Sequence, residues 1–357
     1  ADITTKNPRL VNKYLNNFLK SYAYFHQKIT CVGFPKVSNI ELTNRCAMDC
    51  KMCPRGSMKR PVGLMDFKLF KKIVDQIPLY ANQILCIHGI GDSLLHPDLN
   101  KFITYANKKG FKTTTSTNPS SLNPKTIETI LESGLGHLTI SLDGVDSDTY
   151  RFIRGDAADY EKALKNIHNF LEEKQKGRYS KPEIEMSIIK MDKTEYSLEE
   201  FYQIWNLEGI DRVTAKDFIS WDGSQQNIIN MNKNVVPNNG RPDAGKFACI
   251  RPWLTISVLW DGRVVSCCYD YDGKFLLGDL NTQTIEDIWN GEKAKMLRKS
   301  LIEKDFSTNK LCEKCREVKG AKPSRIYPLN MFKMVKQFGV KKILKFIRQE
   351  GNVFIDG

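Results

Sequence analysis

The chain has 357 residues, is 41% apolar and 27% charged, and sets 54 Lys plus Arg against 41 Asp plus Glu, an ordinary globular composition that excludes intrinsic disorder and collagen-like order. The net charge of +13 gathers at the ends, with +4 in residues 1–35 and +6 in residues 321–357, which leaves +3 for the middle. No basic groove for nucleic acid therefore crosses the body. With no long uncharged apolar run and no apolar signal core near the start, the expected compartment is the cytoplasm.

In chain order, Leu10, Val11, Tyr14, Leu15, Phe18, Leu19 and Tyr22 recur at three- and four-residue spacing. They mark an amphipathic helix that packs on the outside of the fold, within an N-terminal extension of residues 1–35. Extended stretches follow at 37–43, 83–88, 112–117, 137–142, 183–189 and 212–216, alternating with helical patterns at 66–77, 97–109, 124–132, 160–174 and 198–206. Strands each separated by a helix predict an α/β fold with a parallel sheet or barrel over 36–221, because parallel neighbours need crossovers of this length. Residues 222–245, rich in Asn, Gln, Gly and Pro, read as a linker or loop. Beyond it, 254–260 and 263–266 read as a hairpin about Asp261-Gly262, and helices follow at 284–289 and 292–303. Residues 246–320 thus form a second, smaller unit with five of the ten cysteines. In the tail, 321–357, apolar residues from Phe332 to Ile347 interleave with Lys and Arg; this basic amphipathic helix packs on its own domain or lies on an anionic membrane surface.

Clustered thiols in such a compartment point to metal or redox chemistry, since structural disulfides do not persist there. Cys46, Cys50 and Cys53 lie in C-x3-C-x2-C spacing directly after the first strand. Three thiolates leave one iron of a four-iron cluster without a protein ligand, and such an iron can bind an external molecule by its amine and carboxylate. Zinc would want a fourth ligand nearby, and none is evident in sequence. Of the histidines, His26, His137 and His168 read as packing or surface residues, while His88 and His96 flank the loop after the second strand.

This triad and its position resemble the radical S-adenosylmethionine (SAM) superfamily. The resemblance implies a partial (β/α)6 barrel in which Cys46, Cys50 and Cys53 hold a [4Fe-4S] cluster that chelates SAM and, by electron transfer, releases a 5'-deoxyadenosyl radical. His88-Gly89-Ile90-Gly91-Asp92-Ser93 stands where the family carries Gly-Glu-Pro against the SAM amino group, with Asp92 for Glu and Ser93 for Pro. Asn118, Ser141 and Asp143 match further family positions, Ser141 as a candidate contact to the SAM carboxylate or ribose. Met52 replaces a frequent aromatic residue near adenine.

The second group, C-x12-G-x4-C at Cys249, Gly262 and Cys267 with Cys312-x2-Cys315, resembles the auxiliary-cluster module of SPASM and twitch enzymes. That resemblance implies a second [4Fe-4S] cluster on Cys249, Cys267, Cys312 and Cys315, closed to substrate and acting as an electron relay. A four-cysteine zinc site has the same ligand chemistry. Cys268 competes with Cys267 as ligand; side-chain alternation would send the two to opposite faces.

A relay implies net oxidation. The cysteine pattern is similar to that of aminocyclitol and sugar dehydrogenases and epimerases, so the resemblance implies removal of a carbinol hydrogen from a small, possibly anionic, sugar or aminocyclitol. Arg151 and Arg154 after the fourth strand, and Lys190 or Lys216 at strand ends, are candidate polar contacts with none singled out as base; Cys268 is the candidate hydrogen donor for epimerisation, and Cys86 reads as core packing. A flavodoxin or ferredoxin would supply electrons. The alternatives are modification of a ribosomal peptide, for which no leader-binding domain is seen before the barrel, and a non-catalytic metal-binding module.

Overall fold

The computed structural model describes residues 8–232 and 248–315. The basic tail helix, residues 233–245 of the predicted linker and the last residues of the second unit lie outside the described residues.

Five parallel strands, β2 (Ile84–Cys86), β3 (Lys112–Thr117), β4 (His137–Ser141), β5 (Glu183–Lys190) and β6 (Arg212–Asp217), form a sheet in sequence order. Between them run α3 (Leu99–Lys108), α4 (Pro124–Ser133), α5 (Ser147–Arg154), α6 (Tyr160–Lys176) and α7 (Leu198–Trp205), with α2 (Phe67–Val74) before β2. Local chemistry sets these boundaries. In α4, Pro124 opens the helix, Asn123 and Thr126 form a reciprocal capping box, and Gly134 ends it at φ 73°.

The sheet has two chemically distinct faces. Outward residues such as Leu85, Ile87, Leu138, Ile140, Met186 and Ile188 are fully buried against Phe70, Phe102, Ile130, Ile167, Phe170 and Phe201 of the helices, each large apolar side chain contributing about 1.5–3 kcal/mol. The alternate residues face inward and are mostly polar.

β1 (Lys36–Ile40) departs from the sequence expectation. Its ladder partner is β7 (Thr255–Val258) of the second unit, in parallel register, and β8 (Arg263–Val265) and β9 (Leu276–Asp279) extend that sheet antiparallel. β1 reaches β2 through the Asn82 side chain, which accepts from Val37 N and donates to Val37 O, both at 2.9 Å. The barrel wall and the auxiliary unit therefore share a strand. α1 (Pro8–Phe25) packs on this second unit: the Tyr24 hydroxyl donates to Ala248 O at 2.6 Å, and its ring meets Trp253 of α9 (Arg251–Leu254) edge-on. The short α8 (Gln226–Ile229) interrupts the predicted linker. After β9 come α10 (Ile285–Trp289), α11 (Glu292–Glu303) and α12 (Lys310–Lys314). Among the described residues no helix is long and apolar enough to cross a membrane.

Candidate active site

A cavity of about 220 Å3 opens at the carboxyl ends of the barrel strands, where parallel α/β folds bind ligands. Cys46, Cys50 and Cys53 all line it. Their loop is held at many points: Asn44 accepts from Gly63 N and donates to Pro61 O, both at 2.8 Å, and Arg55 donates to Met48 O at 2.7 Å. Asp92 N donates to Arg45 O and Lys51 N to Ile153 O. Gly91 must be glycine, since a Cβ would stand 2.5 Å from the carbonyls of Thr43 and Arg45. Burial pushes the Cys46 thiol up and Cys53 up to about 12, so metal binding is what would make them thiolates.

Of the other expected contacts, Met52, Gly89, Gly91, Asp92, Asn118 and Ser141 line the same cavity. Ser93 and Asp143 do not. The Ser93 hydroxyl turns back to Ile87 O at 2.5 Å, and the fully buried Asp143 accepts from Ile189 N at 2.8 Å and pairs with Arg154. Asp92 reaches the wall, but its carboxylate is committed. Oδ2 accepts from Thr117 Oγ1 at 2.8 Å, Asn118 Nδ2 at 2.9 Å and Ser121 Oγ at 2.7 Å, and Oδ1 from Leu94 N at 3.1 Å. A carboxylate offers about four lone-pair sites, so the expected ammonium contact would compete with four donors already in place. The short side chain is drawn to the end of β3 and works there as a clamp. Burial pushes its pKa up, against the pull of these hydrogen bonds.

Three further wall residues stand out. Arg154 places Nη1 3.6 Å from Cys50 Sγ, and its Nε is buried with no hydrogen-bond partner among the described residues. Trp221, in the left-handed region at φ 55°, donates its indole N–H to Met52 O at 3.0 Å and meets Tyr269 and Tyr271 edge-on. No spacing in the sequence flags it. His88 Nδ1 lies 3.5 Å from Ser116 Oγ, and burial pushes its pKa down to about 4, with Lys216 adding to the shift. His96 has a packing role instead, bonded to Met65 O and edge-on to Phe102. His137, expected to be a packing or surface residue, faces the barrel interior and contacts Glu185 at 3.2 Å.

A second, smaller pocket is lined by Cys249, Cys267, Cys312 and Cys315, together with Arg251, Tyr269 and Asp270. Cys268 is not part of that lining; its sulfur accepts from Arg251 Nη1 at 3.7 Å. The donor sets suit iron–sulfur clusters: three soft thiols and an open cavity in one place, four soft thiols in the other. Among the described residues no three His, Cys, Asp or Glu groups are gathered closely enough to hold a single metal ion.

A (β/α) wall open at its carboxyl end, with three thiols on the loop after the first strand, defines a class of enzyme that the family comparisons name. The radical SAM superfamily model matches residues 40–181, and that of the SPASM iron–sulfur cluster-binding domain matches residues 249–316. The chain therefore carries a radical SAM domain followed by a C-terminal SPASM domain. These domains work with SAM and a [4Fe-4S] cluster and with additional iron–sulfur clusters, respectively.

Among similar proteins, the AdoMet-dependent heme synthase of Methanosarcina barkeri is 27% identical over 140 residues, 39% of this chain and only 40% of that relative's length. The S-adenosyl-L-methionine-dependent 2-deoxy-scyllo-inosamine dehydrogenase of Niallia circulans is 22% identical over 284 residues, 78% of this chain and 92% of that one. The structure of Streptococcus suis SuiB bound to precursor peptide SuiA superposes with a TM-score of 0.57 at 14% identity, covering 79% of this chain and 70% of that one, a likeness of fold.

Proposed function

We propose that this chain is a radical SAM oxidoreductase acting at a carbinol carbon of an aminocyclitol or sugar derivative, by dehydrogenation or epimerisation. The observation that carries the reading is the pairing of two pockets in one chain: three thiols around the larger cavity, four around the smaller. Residues 36–221 would form the catalytic barrel and 246–320 the auxiliary unit. The open site on Cys46, Cys50 and Cys53 would hold the cluster that binds SAM, and Cys249, Cys267, Cys312 and Cys315 would hold a closed auxiliary cluster.

A cluster bound at Cys46, Cys50 and Cys53 would, when reduced, supply the electron for cleaving SAM to methionine and a 5'-deoxyadenosyl radical. The protein's part is positional. The buried Arg154 Nε and the Ser141 hydroxyl are donors for the carboxylate or ribose of SAM, and Trp221 holds the Met52 backbone beside it. His88, neutral at pH 7, faces the cavity as the group available to accept the hydroxyl proton of the carbinol. Trp221 on the wall of one pocket and Tyr269 on the wall of the other stand 6.4 Å apart between ring centroids, so packed aromatic side chains would link the substrate cavity to a cluster held by Cys249, Cys267, Cys312 and Cys315. In epimerisation a thiol returns a hydrogen atom, and Cys268, outside the auxiliary lining, remains the donor candidate.

The barrel's polar interior and the 92% coverage of the inosamine dehydrogenase support a small polar substrate. The test is anaerobic incubation of the iron-loaded protein with dithionite, SAM and carbinol-deuterated 2-deoxy-scyllo-inosamine or related aminocyclitols. Deuterium appearing in 5'-deoxyadenosine supports the reading. 5'-Deoxyadenosine that gains deuterium only from a labelled peptide would turn it to peptide modification.

A further inference from the structure

Below the SAM-facing cavity, the inner wall of the barrel carries a belt of polar side chains. Thr114 Oγ1 and His137 Nδ1 are 3.1 Å apart, His137 Nε2 and Glu185 Oε2 3.2 Å, and Thr214 Oγ1 donates to Glu185 Oε1 at 2.7 Å. Lys216 Nζ stands 3.7 Å from the same oxygen. These residues come from β3, β4, β5 and β6, so the belt crosses four adjacent strands. Strand alternation puts them on the face of Ser116, Ser141, Ile189 and Phe218, which line the cavity above.

A closed barrel fills this space with branched aliphatic side chains; this one keeps a carboxylate, an ammonium, an imidazole and two hydroxyls there. The site is also wet, with the Lys216 side chain 44% exposed and that of His137 25%. Lys216 is close enough to His88 to influence its charge, which ties the belt to the cavity wall. Hydroxyl and amino groups of a ligand can replace water on such a wall bond for bond, whereas an apolar side chain would strip water from Glu185, Thr214 and Lys216 and return nothing.

We propose that Lys216 and the Glu185 belt form the floor that selects the substrate, binding the hydroxyl and amino groups of a small polyhydroxylated ring whose reacting carbon stands in the cavity above. The assignment rests on the oxidoreductase reading of the site and adds to it the residues that would select its polyhydroxylated substrate.

The test is calorimetric titration of the anaerobically iron-loaded, SAM-saturated protein with 2-deoxy-scyllo-inosamine and, separately, with an apolar tripeptide amide. The ring should bind saturably and the tripeptide should not. Lys216→Met and Glu185→Gln should each weaken the ring at least tenfold, while Glu128→Gln on the outer face of α4 leaves it unchanged. Should Glu185→Gln fail to fold by circular dichroism, Lys216→Met and Thr214→Val carry the comparison. Absent ring binding, binding undiminished in the floor variants, or tighter binding of the tripeptide would each overturn the proposal. 5'-Deoxyadenosine formation by the same preparation separates the two claims: with it but without ring binding, only the floor fails. Floor-dependent ring binding with no 5'-deoxyadenosine sinks the radical reading and spares the floor.

Discussion

Arg154 and Asp143 form an ion pair behind the thiol loop, Nη2 to Oδ2 2.5 Å, with the Asp143 side chain fully buried and that of Arg154 9% exposed. The same guanidinium donates to Ser141 O at 2.9 Å and approaches Cys50. Asp143 is therefore the counterion that lets a charged group sit at the cavity wall. Asp143→Asn should cost about 3–5 kcal/mol, the penalty for stranding a buried charge, read by urea unfolding of the metal-free protein under anaerobic conditions. A loss below about 1 kcal/mol would mean that water reaches the guanidinium and that the pair is not the clamp described.

Glu41 and Arg60 make a second buried pair, bidentate at 2.6 Å and 2.6 Å. Glu41 also accepts from Ile90 N and Trp260 N, and Arg60 donates to Tyr271 O. One carboxylate at the end of β1 thus joins the loop after β2 to the auxiliary unit. Arg60→Met alone should destabilise by about 3–5 kcal/mol, and the double variant Glu41→Gln/Arg60→Met should recover much of that loss. Additive losses in the double variant would argue against a shared hub.

The adjacent cysteines should separate cleanly by metal content. With two clusters the intact chain should hold about eight irons. Cys267→Ala should fall to about four and lose the auxiliary signal in electron paramagnetic resonance, while Cys268→Ala keeps about eight. The reverse pattern would move the ligand to Cys268 and remove it as a hydrogen donor.

Burial lowers the Lys20 ammonium to about 8 from 10.5, with Cys31 opposing and Lys36 adding. Below about pH 8 both folded and unfolded chains hold the proton, so the folded state bears the whole cost of the buried charge. Between about 8 and 10.5 the folded chain releases it first, and the cost fades as pH rises. Lys20→Met should therefore stabilise by about 3 kcal/mol at pH 7, with the gain shrinking toward zero by about pH 10.5. A pH-independent difference between the two proteins would show that the ammonium is not the cause.

The framework was largely legible because periodicity and caps act locally. The strand over Lys112–Thr117 and the helix over Glu292–Glu303 fall where the pattern predicts them. The α5 helix gives little signal: of its eight residues only Tyr150, Ile153 and Arg154 are buried, and its start depends on the Asp146 side chain accepting from Thr149 N. β9 is four residues that become a strand only by pairing with β8. The sharing of β1 with β7 joins positions some 220 apart in sequence, which no local window reports. At the site, spacing located the thiols and the loop carrying Asp92. It did not reveal the donors that occupy its carboxylate, because Thr117, Asn118 and Ser121 arrive from the end of another strand. His137 looked isolated for the same reason: Glu185 is its partner only once β4 and β5 lie side by side.

On the proposed reading, Cys46, Cys50 and Cys53 hold an incompletely ligated iron–sulfur cluster that takes up SAM. The most direct measurement is quantification of 5'-deoxyadenosine after adding dithionite and SAM to the anaerobically iron-loaded protein, beside a variant with all three cysteines changed to Ala. The intact chain should form the nucleoside and the triple variant none, with about four irons retained by that variant at the auxiliary site. An intact chain that carries its iron yet leaves SAM whole, or equal cleavage by the triple variant, would contradict it.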